Sequence, residues 1–357
     1  SLAQGAGVQA IIESLSGEER RELQSMSREE KRAFFRARMG KQGGAGGGAR
    51  RGKPGRDETT AAQPTGPVVW PGPIIDVHSQ VDQRTDLKTI VPLLDKAGVA
   101  QVVLSARFKQ PSSDVIGLAQ RHPERIIPAA KTKTRAFTKN SGGFPRIFKK
   151  ELRSHDFGAM AEIIMWHAAK KGVGAGKAAV DPDDGRLQPF LKAARKKGWP
   201  FLAHIEFAAM DWDKERYMKK FEAFLAANRD VPVGLIHMGQ LKAADAARFL
   251  PLHANLFFIT SHSNPITIKA SRLPWTRMFS GQELAPRWRK LVLAYPERFV
   301  LAFDNVFHFH WEKKFLPQVK VWRRALAALP DAVAHALAHG NAERLWKLPP
   351  AALSRQR

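Results

Sequence analysis

Leu202-Ala-His204-Ile-Glu206 and Leu235-Ile-His237-Met-Gly239 each run from aliphatic residues into a histidine and then break. Short apolar runs that end on a polar group read as strands buried on both faces. Three further stretches share the form: Asp76-Val-His78-Ser-Gln80, Met160-Ala-Glu162 and Leu301-Ala-Phe-Asp304-Asn305. Each sets a metal-capable side chain at the end of its strand. In a closed parallel barrel those ends form one mouth, where active sites are built.

Working outward, the candidate strands are 74–78, 101–105, 125–130, 158–165, 201–207, 232–238, 256–261 and 299–304. Helical stretches lie between and after them, near 85–97, 113–121, 145–153, 185–197, 214–228, 242–250, 283–294 and 313–328. Eight strands alternating with eight helices predict an α/β fold, a (β/α)8 TIM barrel, over residues 67–357.

Residues 1–39 read as a helical N-terminal arm. Ser16-Gly-Glu-Glu19 and Ser27-Arg-Glu-Glu30 have capping-box spacing, and Leu23, Met26, Phe34 and Phe35 supply a small apolar face. Such an arm cannot hold a core alone. Residues 40–66 form a Gly-rich basic linker without large apolar groups. An arm on a tether of this kind suits a homo-oligomer clasp or an anchor in a larger complex.

The formal charge is +25, and there is no cysteine, which excludes disulfides, thiolate metal sites and a Cys nucleophile. Residues 1–66 hold 12 Lys and Arg against 8 Asp and Glu, so most of the surplus belongs to the barrel. An anionic partner or an acidic protein surface fits that balance, as do ordinary solvated helix faces. No nucleic-acid motif accompanies the charge. No run of about 18 apolar residues offers a transmembrane span. The first residue is Ser rather than Met. A removed leader leaves such a start, so an exported or periplasmic place is the expectation, with the cytoplasm as the alternative. Lys171-Gly-Val-Gly-Ala-Gly176-Lys177-Ala178 looks like a phosphate loop but lacks Gly at 171 and Ser or Thr at 178. It reads as a turn after the fourth strand.

His204 and His237 end consecutive strands and lie within reach of one ion, and Glu162 completes three ligands. Three protein ligands leave a position for water, the mark of a catalytic zinc. Alternation puts His78 and Gln80 on one face, but Gln80 offers only a neutral amide oxygen, a poor zinc ligand. A carboxylate at Asp304 is costly to bury without a cation, and it suits proton transfer to and from the reacting groups.

A strand-1 Asp-x-His, a strand-4 carboxylate, His on strands 5 and 6 and Asp on strand 8 together resemble the amidohydrolase superfamily. The likeness is to its amidohydrolase-related branch of metal-dependent TIM-barrel hydrolases. The tail His339-Gly-Asn341-Ala342-Glu343-Arg344-Leu345-Trp346 is similar to the Asn-Ala-x-Arg-Leu segment that often closes this branch. The resemblance covers roughly residues 72–348. It implies His78 for a first metal site, Glu162, His204 and His237 for a second or shared site, and Asp304 as general base. Gln80 departs from the pattern, standing where the family has a second strand-1 histidine. One divalent ion is therefore expected, zinc first, with manganese or iron as alternatives.

The function expected is a metal-dependent hydrolase that turns activated water on a small amide, ester or lactone. The alternatives are a diverged, non-catalytic barrel serving as a binding or assembly subunit, and a metal-dependent decarboxylase. The substrate is expected to meet Gln80 and loop residues after strands 3, 7 and 8. Those are Lys131 with Lys133 and Arg135, then Arg272 with Trp275 and Arg277, then His308 with His310 and Trp311.

Overall fold

The computed structural model describes residues 68–169 and 177–353. The expected arm, the linker and the Gly-rich turn at 170–176 lie outside the described residues.

Among the described residues, eight barrel strands occur in chain order, beside three two-residue strands outside the ring. The eight are β1 (Ile74–Val81), β2 (Val99–Ala106), β3 (Ile126–Ala130), β4 (two pieces, Ala159–Met160 and Ile163–His167), β5 (Phe201–Ile205), β6 (Val233–Leu235), β7 (Leu256–Ile259) and β8 (Phe299–Val300). After each comes a helix: α1 (Ile90–Ala97), α2 (Ser112–Arg121), α3 (Phe144–Ser154), α4 (Gln188–Lys197), α5 (Lys214–Ala227), α6 (Ala243–Phe249), α7 (Pro286–Ala294) and α8 (Phe315–Ala327). Gly98 and Gly198 follow α1 and α4 with φ of 66° and 70°. That left-handed stop, cheap for Gly, turns each helix back toward the sheet.

Successive strands pair in parallel from β1 to β8. The first piece of β4 pairs with β3 and the second with β5, so the break at Ala161-Glu162 is a bend within one barrel strand. The ring closes between β1 and the segment after β8. Val77 N donates to Leu301 O (3.2 Å), Asp304 N to His78 O (2.8 Å) and Gln80 N to Asn305 O (2.7 Å). This is the (β/α)8 TIM barrel of the sequence reading.

Four strands stop earlier than expected, β5 and β7 by two residues each and β6 and β8 by more. β6 ends at Leu235 because His237, Met238 and Gly239 take left-handed conformations (φ 54°, 56° and 62°). Past β8, residues 301–305 bond to β1 through a mixture of backbone and side-chain acceptors instead of a regular ladder. In both places the backbone is bent to aim one functional side chain.

Two apolar layers hold the ring. Small and branched residues of the strands line its interior, among them Ile75, Val77, Val103, Ala129, Leu202, Ile259 and Ala302. Leu345 and Trp346 of the C-terminal helix Asn341–Trp346 join that layer, with the Trp346 indole edge-on to Phe257 at 5.8 Å. The outer faces of the strands pack on the helices through large side chains such as Phe190, Phe221, Phe249 and Trp322. Among the described residues no helix is long and apolar enough to cross a membrane.

Asp76 secures the seam. Its Oδ1 accepts from His78 N and Phe303 N (both 3.1 Å), and its Oδ2 from Ser79 Oγ (2.6 Å). Burial outweighs these bonds and lifts its carboxyl to about 6. A folded value above the unfolded one means that ionisation costs stability, a cost absent below about pH 4 and complete above about pH 6. Asp76→Asn removes the charge, so its stability relative to the parent is expected to improve as pH rises through that window. Asp76→Ala strands two buried amides and is expected to lose about 2–4 kcal/mol throughout. Chemical denaturation of both variants across pH 4–7 checks the pair.

Candidate metal centre

At the C-terminal mouth of the barrel the structure gathers His78, Gln80, Glu162, His204, His237 and Asp304, all buried. A register irregularity in β1 between Asp76 and Ser79 makes this possible. Ile75 and Val77 line the interior below it, while His78 and Gln80 reach the mouth above it. A bulge of this kind re-aims side chains next to active sites.

Glu162 sits at the bend of β4, its carbonyl held by the Thr132 hydroxyl. Its carboxylate meets five groups: His204 Nδ1 at 2.5 Å, Gln80 Nε2 at 3.3 Å, His78 Nε2 at 3.7 Å, the Arg107 guanidinium at 4.0 Å and the Lys133 ammonium in direct contact. Burial alone raises such a carboxyl, but Lys133, His204 and His78 hold it well below the carboxylate range. Asp304, in a left-handed backbone conformation (φ 48°), places Oδ1 2.7 Å from Gln80 Nε2 and 3.2 Å from His78 Nε2. Its Oδ2 lies 2.8 Å from His262 Nε2 and 3.7 Å from His237 Nε2. Burial opposes its ionisation, and His78 with His262 reverses that, keeping it a carboxylate.

His237 is set by its own turn and by Ser261, whose hydroxyl pairs with Nδ1 at 2.8 Å and leaves Nε2 facing the cluster. Burial and the neighbouring His262 hold its pKa well below the ordinary value, so the ring is neutral as a metal ligand must be. Trp275 covers this side, 5.0 Å from the His237 ring and 4.6 Å from the His262 ring.

The ligand atoms of His78, Glu162 and His237 lie within 4.8 Å of one another, and so do those of His237, His262 and Asp304. A third group, His167, His204 and Glu206, adjoins them. His204 thus meets Glu162 through Nδ1 and turns Nε2 toward Glu206 (3.3 Å), rather than completing one triad with Glu162 and His237. Buried His78 Nε2 makes no hydrogen bond of regular geometry, though it stands in ion-pair range of Asp304 Oδ1 (3.2 Å) and Glu162 Oε1 (3.7 Å). A ring nitrogen without a regular hydrogen bond, facing two carboxylates and a neutral imidazole, fits a divalent ion.

Three residues expected to touch substrate are not brought to this cluster. The Lys131 ammonium bonds to Gln110 O and its amide to Glu151 Oε1 (3.3 Å), toward α3. Arg272 is exposed, and His308 lies 3.7 Å from Asp82. Gln80 does belong, as a bridge: its Nε2 serves both carboxylates and its Oε1 accepts from Arg107 (2.9 Å) and Lys133 (3.2 Å).

The sequence reading passed over His262, His167 and Arg107. His262 follows a polar run, Thr260-Ser261, and enters through a left-handed turn (φ 60°), so no strand-end pattern marks it. His167 ends β4, which runs past the expected Met165. Arg107 directly follows β2 and carried the same strand-end signal as the histidines.

The amidohydrolase family model matches residues 75–348, and the chain belongs to that family. Among solved structures, an uncharacterized TIM-barrel protein from Bordetella bronchiseptica shares the fold at 15% identity and a TM-score of 0.50, covering 77% of this chain and 99% of its own. An amidohydrolase from Burkholderia multivorans with bound zinc has 15% identity and a TM-score of 0.47 (77% and 99% covered). The 4-oxalomesaconate hydratase of Rhodopseudomonas palustris has 13% identity and a TM-score of 0.47 (77% and 95% covered). No curated protein matches the chain. The amidohydrolase family is generally metal-dependent, and the histidine–carboxylate groups described above are this chain's candidates for holding an ion.

Ser261 orients His237 from the Nδ1 side, away from the cluster that Nε2 faces. Ser261→Ala is therefore expected to weaken metal binding by about 10–100-fold with little change in fold. Competition with a chromophoric chelator measures the shift, and an unchanged affinity counts against His237 as a ligand.

Proposed function

We propose that this amidohydrolase is a hydrolase that uses one divalent ion to activate water against a small amide, ester or lactone. The observation that carries the reading is the convergence of buried His78, Glu162, His237 and Asp304 at the barrel mouth, where His78 Nε2 faces both carboxylates without a regular hydrogen bond. A divalent ion held there supplies Lewis acidity and lowers the pKa of water. His78, Glu162 and His237 are its first holders, with His204 steadying Glu162. Imidazole nitrogens with a carboxylate suit zinc, with manganese or iron as alternatives.

Asp304 takes the proton of the attacking water and delivers it to the leaving group. Two features support that role: His78 and His262 keep it ionised, and its 2.8 Å bond to His262 fixes its orientation. Arg107 and Lys133, each about a quarter exposed, border the same space and can orient a substrate oxygen. Trp275 shields the His237 and His262 rings from solvent.

Elemental analysis of the purified chain is expected to find about one zinc, manganese or iron per chain, lost on His237→Ala. Asp304→Asn is expected to retain the ion and to slow turnover of an ester or lactone found by screening by about 10²–10⁴-fold. A chain without metal, and without a rise in melting temperature on adding zinc, removes the hydrolase reading. It leaves a barrel that binds or assembles.

A further inference from the structure

The side of the cluster toward which residue 80 points already holds a cation of the chain's own. Lys133, in the segment after β3, sets its ammonium in ion-pair contact with Glu162 Oε1 and 3.2 Å from Gln80 Oε1. Arg107, just past β2, donates to that same Gln80 oxygen at 2.9 Å and stands 4.0 Å from Glu162 Oε1. The Gln80 amide completes the arrangement, giving its Nε2 hydrogens to Glu162 Oε1 (3.3 Å) and Asp304 Oδ1 (2.7 Å).

A metal needs carboxylate lone pairs that no hydrogen occupies. Here the Glu162 oxygen facing residue 80 is engaged by an ammonium and an amide at once, and Asp304 Oδ1 by the same amide. We propose that Lys133 takes the place of a second metal ion and, with Gln80, holds the centre to one. The inference rests on the metal-centre reading above and adds what limits its stoichiometry.

The charge balance points the same way. The ammonium of Lys133 and the guanidinium of Arg107 already stand against the carboxylate of Glu162. A second ion has to share Glu162 with those two cations, and uncompensated charge in a buried site is strongly unfavourable. Restoring an imidazole at position 80 is therefore not enough while the ammonium remains. Both the missing ligand and the resident cation must change.

The test is metal stoichiometry, read by elemental analysis and by isothermal titration with zinc alone, on the full chain. The parent and Gln80→His are each expected to hold one ion. The double variant Gln80→His/Lys133→Ala is expected to approach two, and Gln80→His/Lys133→Met, which keeps the apolar stem, serves as the companion should the alanine form fail to fold. A second ion in Gln80→His alone overturns the inference, because Lys133 then excludes nothing. A double variant that melts cooperatively yet stays at one ion overturns it as well. Both of those results leave the one-ion centre standing. No ion in any of the chains overturns the metal-centre reading, and this inference with it.

Discussion

A parallel barrel exists only if its first and last strands meet, and in this chain that meeting also makes the site. The seam between β1 and the segment after β8 is held by three backbone bonds and by Asp76, which ties His78 N, Ser79 Oγ and Phe303 N to one carboxylate. His78 and Gln80 come from one lip of the seam and Asp304 from the other. If the seam slips by a residue, the 3.2 Å approach of His78 to Asp304 and the 2.7 Å bond from Gln80 are lost together. Barrel closure and site assembly are one event here.

Regular strand geometry cannot serve both purposes. The interior layer needs Ile75 and Val77 pointing inward, while the mouth needs His78 and Gln80, two positions of opposite parity. The irregularity between Asp76 and Ser79 reconciles them. His237 and Asp304 are reached in the same spirit, each through its own left-handed backbone just past the end of its strand. Such conformations cost of order 1–3 kcal/mol each away from glycine, and they persist where the surroundings over-determine them. Ser261 on the His237 turn and the seam bonds around Asp304 are those surroundings.

Burying so many ionisable groups is tolerable because each meets an opposite partner. Glu162 and Asp304 are held ionised by Lys133, His204, His78 and His262, and His237 stays neutral beside them. Any one of these groups left alone is costly in a water-poor setting. Fold likeness at 15% identity speaks only to the barrel, which hosts many chemistries. The chemistry argued here comes from this chain's own cluster.

The alternation of branched apolar runs with amphipathic stretches was enough to read the eightfold order, since a strand buried on both faces leaves no other pattern. Five of the mouth residues were legible as well, because each stands at the end of such a run: His78, Glu162, His204, His237 and Asp304. Gln80 was visible as a departure, though not as a bridge, since bridging depends on what lies opposite it. His262 entered through a turn after a polar run, and Lys131 left through the direction of its side chain toward Gln110. The sequence by itself determined which elements form, in what order, and which strand ends carry ligand-capable groups, because burial and periodicity are local properties of the chain. Only the tertiary structure decided which of those groups meet, which ring nitrogen of each histidine faces which carboxylate, and that Lys133 and Arg107 share the space beside Gln80. Those outcomes depend on closure of the barrel, the bulge in β1 and a few left-handed residues, which bring together side chains far apart in the chain.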